Sequence, residues 1–176
     1  MQMIDATTVV PASTWAVDPL HSSVAFKLRH LMVMPVRGRF TVFEGTLAVA
    51  RDGRARAYGT VQAATIDTSD AIRDERLRGP DFFDTANSPE IAFASTSIET
   101  LDGETLLIAG DLTIRGTTRG IELRARRTAV AAERIELELD GELRRSDFGI
   151  ESAQLLEAGI SDKVELALRI SLTKAG

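Results

Sequence analysis

The sequence predicts an all-β protein: an antiparallel barrel of roughly eight strands with one or two short helices in its connections. Three observations lead there. Apolar residues recur at every second position along most of the chain, the mark of half-buried strands. Turn residues separate these runs at short spacing, as in antiparallel sandwiches and barrels. The stretch 67–89 breaks the two-residue period between two long runs that keep it. Neither terminal strand carries the prolines or inward charges that blunt a free sheet edge, so closure is favoured over an open sandwich. A barrel of this size encloses either its own side chains or one slim ligand.

In chain order, Trp15 opens the first run, and Asp18 with Pro19 breaks it at a tight corner. Val24, Phe26 and Leu28 then alternate with Ala25, Lys27 and Arg29. The connector from His30 to Phe40 is apolar where connectors are usually polar, with Met32, Met34 and Pro35 at its centre, so it is either covered or meets something lipophilic. Phe40, Val42 and Leu47 resume the alternation; Phe43–Val49 is a strand, and Arg51 to Arg54 turn it into a hairpin on Gly53. From Ala57 to Ile66 one face holds Ala57, Gly59, Val61 and Ala63, small side chains that leave space.

Asp70 is a helix cap for a short helix over 70–78, with Ile72 and Leu77 apolar and Arg73, Asp74, Glu75, Arg76 and Arg78 as a solvated charged face. Gly79 and Pro80 end it, and Phe82 with Phe83 stand side by side in a loop, suited to plug an opening. Ile91, Phe93 and Ile98 form a strand that turns at Asp102–Gly103 into Leu106, Ile108, Gly110, Leu112 and Ile114. Gly116 to Gly120 read as the next turn, followed by Ile121, Leu123 and Ala125. Ile135, Leu137, Leu139, Gly141 and Leu143 alternate with Glu136, Glu138, Asp140 and Glu142. A loop from Arg144 to Gly149, a helix-like piece around Leu155 and Leu156, and a last strand from Val164 to Leu172 complete the chain.

The 176 residues, 44% hydrophobic, fit one domain. Net charge is -5, which argues against a basic nucleic-acid footprint or a polybasic membrane patch. The chain has no cysteine, so disulfides, thiolate nucleophiles and cysteine zinc sites are excluded. Residues 1–14 read as an N-terminal extension unlike a signal peptide, and no run of 18 apolar residues occurs; the expectation is a cytoplasmic protein without a membrane span. The two histidines, His21 and His30, lie at opposite ends of one strand on opposite faces, so no metal site is expected. Asp147, Phe148 and Gly149 spell a kinase tripeptide, but no phosphate-binding glycine loop accompanies it.

Five ordered blocks resemble the YceI-like family. They are Val17, Asp18, Pro19, His21 and Ser22; His30, Leu31, Met32, Val36, Arg37, Gly38 and Phe40; and Arg73, Asp74, Leu77, Phe82 and Phe83. Pro89, Ile91, Phe93, Ser95, Gly110, Asp111, Leu112, Thr113, Ile114, Gly116 and Thr118 make the fourth, and Arg145 to Gly149 the fifth. The resemblance spans Trp15 to about Leu172 and makes 15–176 the domain. It departs at Arg115 and Arg144, where the family commonly has histidine and asparagine.

The resemblance implies a lipocalin-like, polyisoprenoid-binding barrel: a non-enzymatic protein with no cofactor, whose partner is a lipophilic small molecule such as a polyisoprenoid or isoprenoid quinone. Homodimerisation is compatible with it. Candidate apolar lining is Phe26, Leu28, Met32, Phe40, Phe82, Phe83, Phe93, Leu112, Ile114 and Phe148; candidate polar contacts are His21, His30, Arg37, Arg73, Asp74, Arg145 and Asp147. Two other readings stay open: an enzyme on a small lipophilic substrate using His30 and Asp147, or a barrel filled by its own side chains and serving protein interaction.

Overall fold

The computed structural model describes residues 6–31, 33–151 and 159–175. Its strands are β1 (Ser13–Val17), β2 (Ser23–His30), β3 (Met34–Phe40), β4 (Phe43–Val49), β5 (Ala55–Gln62), β6 (Ile66–Asp67), β7 (Glu90–Thr100), β8 (Thr105–Ile114), β9 (Thr117–Val130), β10 (Arg134–Arg144) and β11 (Lys163–Lys174). One α-helix, α1 (Ala71–Leu77), sits between β6 and β7. Every strand pairing is antiparallel.

Eight strands make a closed ring in the order β1-β4-β5-β7-β8-β9-β10-β11, shut by the pairing of β11 with β1. The other three continue strands of the ring past corners. β11 pairs with β1 at its C-terminal end and with β2 further back, so β1 and β2 are one strand broken at Asp18–Pro19. Asp18 donates its N–H to the Ser171 carbonyl, and Ser22 Oγ accepts from Ser171 N at 2.9 Å, which stitches that corner to β11. β3 and β4 break at Thr41–Val42, and β5 and β6 at Ala63–Thr65. Thr65 Oγ1 accepts from both Thr41 N and Val42 N, tying these two corners together. The extension β2-β3-β6 ends at β6, which does not pair with β7. That leaves a gap in the wall.

The corners correct two expectations. Val42 is a corner residue, 52% exposed, and not on the inner face. The alternation from Ala57 to Ile66 is interrupted at Ala63 by a single 3-10 turn. The turn after β8 is also shorter than expected: only Arg115 and Gly116 form it, both with positive φ (52° and 76°), the geometry of a two-residue hairpin turn, and Thr117 to Gly120 belong to β9. The stretch around Leu155 and Leu156 lies outside the described residues.

α1 starts where the sequence places it, with the Asp70 carboxylate accepting from Arg73 N. Its inward face differs. Ile72 is 75% exposed, whereas Asp74 is buried and accepts from Thr68 N and Thr68 Oγ1 at 2.9 and 2.6 Å. Arg73 donates to Thr68 Oγ1 and the Thr68 carbonyl, both at 2.8 Å. Arg73 and Asp74 are therefore staples holding the helix against residue 68, not members of a freely solvated face. A seven-residue helix is too short to hold itself in water, and these bonds supply the missing anchorage.

One end of the ring is sealed. Ala6, Val9, Val10, Trp15, Leu106 and Ile135 pack there, each at most 3% exposed. Ala6, Val9 and Val10, which precede the stretch read as the barrel domain, thus lie in its core. Arg127 holds them by donating to the Val9 carbonyl, and Trp15 Nε1 donates to the Pro11 carbonyl.

Candidate functional site

Above that floor the side chains stop filling the interior. Along β11 the inward positions Val164, Ile170 and Leu172 are buried, but Leu166 and Leu168 between them are only half-buried. On β10, Leu139 and Leu143 are half-buried while Ile135 and Leu137 are closed off. Inward residues with free surface face a cavity. It is a chamber of about 340 Å³, within the range of roughly 300–1,000 Å³ common for ligand pockets.

Its wall is aliphatic and aromatic: Val24, Phe26 and Leu28 from β2, Phe93 from β7, Leu112 and Ile114 from β8, and Leu166 and Leu168 from β11. Two glycines widen it. The Phe26 ring lies over Gly38, and the Phe93 ring over Gly110, so closely that a β-carbon at either glycine would overlap the ring. Both rings therefore lie along the wall instead of crossing the interior. Next to Phe93, Ala57, Gly59 and Val61 of β5 form the small-residue face expected from the sequence. Gly45 pairs there with Gly59, so bare backbone forms the wall, and the outward residues Glu44, Thr46, Tyr58 and Thr60 border the chamber as well.

The mouth lies where β6 fails to reach β7. Thr68, Arg73 and Leu77 from the α1 region and Phe82 and Phe83 from the following loop close in on it. Phe83 meets Phe40 edge to face at 6.0 Å, and Phe40 meets Phe26 at 5.7 Å. Arg115, one of the two departures from the family pattern, donates to the Phe82 carbonyl at 3.0 Å and so ties this loop to the β8–β9 turn. Arg145 donates to three backbone carbonyls, those of Ser161, Ile150 and Ile160, at 2.8–2.9 Å. Its guanidinium borders the chamber but is committed to holding Ile150 and Ile160 in the wall. Arg73 uses Nε and Nη2; its Nη1 donates to nothing among the described residues.

Of the candidate lining residues, Phe26, Leu28, Phe40, Phe82, Phe83, Phe93, Leu112 and Ile114 border the chamber. Phe148 is buried in the same cluster without reaching it, and Met32 lies outside the described residues. Among the polar candidates only Arg73 and Arg145 border it. His21 is exposed at the β1–β2 corner with Nδ1 2.7 Å from Asp18 Oδ2. His30 ends β2 and bridges Ile160, Arg37 is exposed on β3, and Asp74 is buried against Thr68. Asp147 lies in a separate polar groove with Arg119, Arg144, Asp162 and Lys163. No hydrogen bond joins His30 to Asp147, and no cluster of metal-binding side chains occurs, among the described residues. Sequence reasoning did not single out Val24, Val36, Val61, Leu139, Leu166 and Leu168 as lining. The clean alternation of β10 and β11 carried that signal, and aromatic residues drew attention from it.

The fold and chamber define a closed eight-stranded antiparallel barrel with an apolar interior open at one end. The chain belongs to the YceI-like family: the YceI-like domain matches residues 15–172. It is similar to Protein YceI of Escherichia coli O157:H7, 33% identical over 139 residues that cover 75% of this chain and 72% of the relative. In structure it is similar to BcnA of Burkholderia cenocepacia, with a TM-score of 0.81 at 22% identity over 88% of this chain and 98% of that one. It also resembles a polyisoprenoid binding domain from Saccharophagus degradans implicated in plant cell wall breakdown, with a TM-score of 0.73 at 17% identity over 92% and 98% of the two chains. No helix among the described residues is long and apolar enough to cross a membrane.

Proposed function

We propose that the barrel binds a long apolar ligand of isoprenoid type in its chamber, without catalysis, for carriage or storage. The observation that carries this reading is the interior that eight strands leave unfilled, walled by aliphatic and aromatic side chains. An empty apolar space forfeits the contacts its lining atoms would otherwise make, so a ligand that fills it is favoured. Burial of about 0.8 kcal/mol per CH₂ makes one five-carbon unit worth roughly 4 kcal/mol. Two or three such units reach about micromolar affinity after the costs of association. The same physics tells neighbouring chain lengths apart only weakly.

The polar end of the ligand belongs at the mouth, where Arg73 Nη1 is available beside Thr68. A barrel filled by its own side chains would have no such chamber. The binding domain of similar fold from Saccharophagus degradans supports an isoprenoid as the ligand class. Native mass spectrometry of protein purified from its own host, followed by solvent extraction, tests the reading. A stoichiometric prenyl-chain or quinone mass is expected; a clean apo mass, unchanged after incubation with geranylgeraniol, would overturn it.

A further inference from the structure

The β2–β3 hairpin continues beyond the chamber it helps to wall. Leu28 and Val36 are the last facing pair that line it; Arg29 then faces Pro35 and His30 faces Met34 before the chain turns. This tip is held firmly. Leu31 N donates to the Gly159 carbonyl at 2.8 Å, Ser161 N donates to the Arg29 carbonyl at 2.8 Å, and Arg29 N donates to Ser161 Oγ at 3.0 Å. Ile160, between those anchor residues, lines the chamber, so the tip adjoins the chamber wall.

On this anchored tip Leu31, Val33 and Met34 are 58%, 71% and 57% exposed. Leu31 also has φ of 52°, a left-handed backbone that glycine or asparagine would adopt more cheaply than leucine. An apolar side chain is thus kept where both solvation and backbone preference disfavour it.

The stem beneath the tip is cationic. Residues 19–43 contain Lys27, Arg29, Arg37 and Arg39 and no carboxylate, in a chain of net charge -5. Lys27 stands directly opposite Arg37 in the register, a like-charge pair that disfavours the sheet. Glu165 pairs with Lys27 and Asp67 with Arg39, each at 3.2 Å; Arg29 and Arg37 are exposed and form no ion pair among the described residues. An exposed apolar tip above two arginines that lack ion-pair partners among the described residues matches an anionic lipid bilayer, whose headgroups take the charges and whose acyl boundary takes the side chains.

We propose that this hairpin docks the barrel on an anionic bilayer. Leu31, Val33 and Met34 enter the headgroup–acyl boundary, and Arg29 and Arg37 face lipid phosphates. Transfer of a lipid between bilayer and chamber through this contact rests on the function proposed above; the docking itself does not.

The test is co-sedimentation of the full chain with phosphatidylcholine vesicles, with and without phosphatidylglycerol, at low and high salt. Binding is expected only with phosphatidylglycerol and is weakened by salt. Arg29→Gln and Arg37→Gln are each expected to weaken it by about five-fold. Val33→Ser with Met34→Ser is expected to weaken it by about ten-fold at an unchanged melting temperature. Equal binding by variants and wild type, or no vesicle binding by a protein that still carries a lipid in its chamber, would overturn docking while leaving the chamber reading intact. Self-association or capture of a soluble protein that these substitutions abolish, without vesicle binding, would overturn the bilayer as the occupant.

Discussion

At the sealed end of the barrel Val9, Val10, Trp15, Leu106 and Ile135 are at most 1% exposed, whereas at the open end the equally inward Val24, Phe26, Leu28, Leu139 and Leu143 are only half-buried. The same alternation of apolar and polar residues builds both regions. What differs is whether anything reaches across. At the floor a short N-terminal turn brings two valines under the ring; at the mouth two strands break at corners, and their continuations run on without closing the wall. The floor therefore supplies close packing, and the open half leaves space that a ligand can fill. In a marginally stable domain those roles are separable by mutation.

The largest effect is expected at the floor. Trp15→Ala removes a fully buried ring and the bond from its Nε1 to the Pro11 carbonyl, and should cost about 3–5 kcal/mol in urea unfolding. A loss no larger than that of a mouth variant would break the division. Asp74→Ala comes next. It strands the Thr68 N–H and hydroxyl and should cost about 1–3 kcal/mol, with faster amide exchange over 66–85 and little change at the floor. Phe83→Ala should cost about 1 kcal/mol, since it loses one edge-to-face contact at a half-buried site, yet should release chamber-bound lipid faster than either.

The smallest effect concerns the β1–β2 corner, where the two halves join. The hydrogen bond from His21 holds the Asp18 carboxyl below its ordinary value of 3.8, aided by Leu20 N–H and by Arg134. A carboxylate whose folded pKa is depressed adds stability above its unfolded value and loses it as pH falls through the folded one. Asp18→Asn should therefore lower the melting temperature at neutral pH, with a difference from wild type that shrinks below about pH 4. A difference that held constant into acid would show that the corner depends on the geometry of the side chain and not on its charge.

The strands and the paired phenylalanines were legible in the sequence because both are local patterns: period two, and adjacent aromatics in a loop. The corners were not. The alternation at Ala57, Gly59, Val61 and Ala63 runs on across the break, and the bonds that fix it are donated to Thr65 Oγ1 by Thr41 N and Val42 N at a distant corner. Val9 and Val10 fall in the stretch read as an N-terminal extension, because their burial depends on residues as distant as Arg127. Arg73 and Asp74 read as solvated charges because a run of charges hides which members have a buried partner. The chamber itself was signalled only indirectly, by the small-residue face of β5; that Gly38 and Gly110 let Phe26 and Phe93 lie along the wall depends on ring positions that only the folded structure shows.

The central claim is that an apolar chain occupies the unfilled half of the barrel. Photolabelling delipidated protein with a diazirine-tagged geranylgeraniol, and mapping the adducts by peptide mass spectrometry, tests it most directly. The account expects adducts at chamber residues such as Leu139, Leu166 and Leu168, suppressed by untagged geranylgeraniol. Adducts confined to exposed outer positions such as Leu101 and Val130, or labelling that the untagged chain does not suppress, would contradict it.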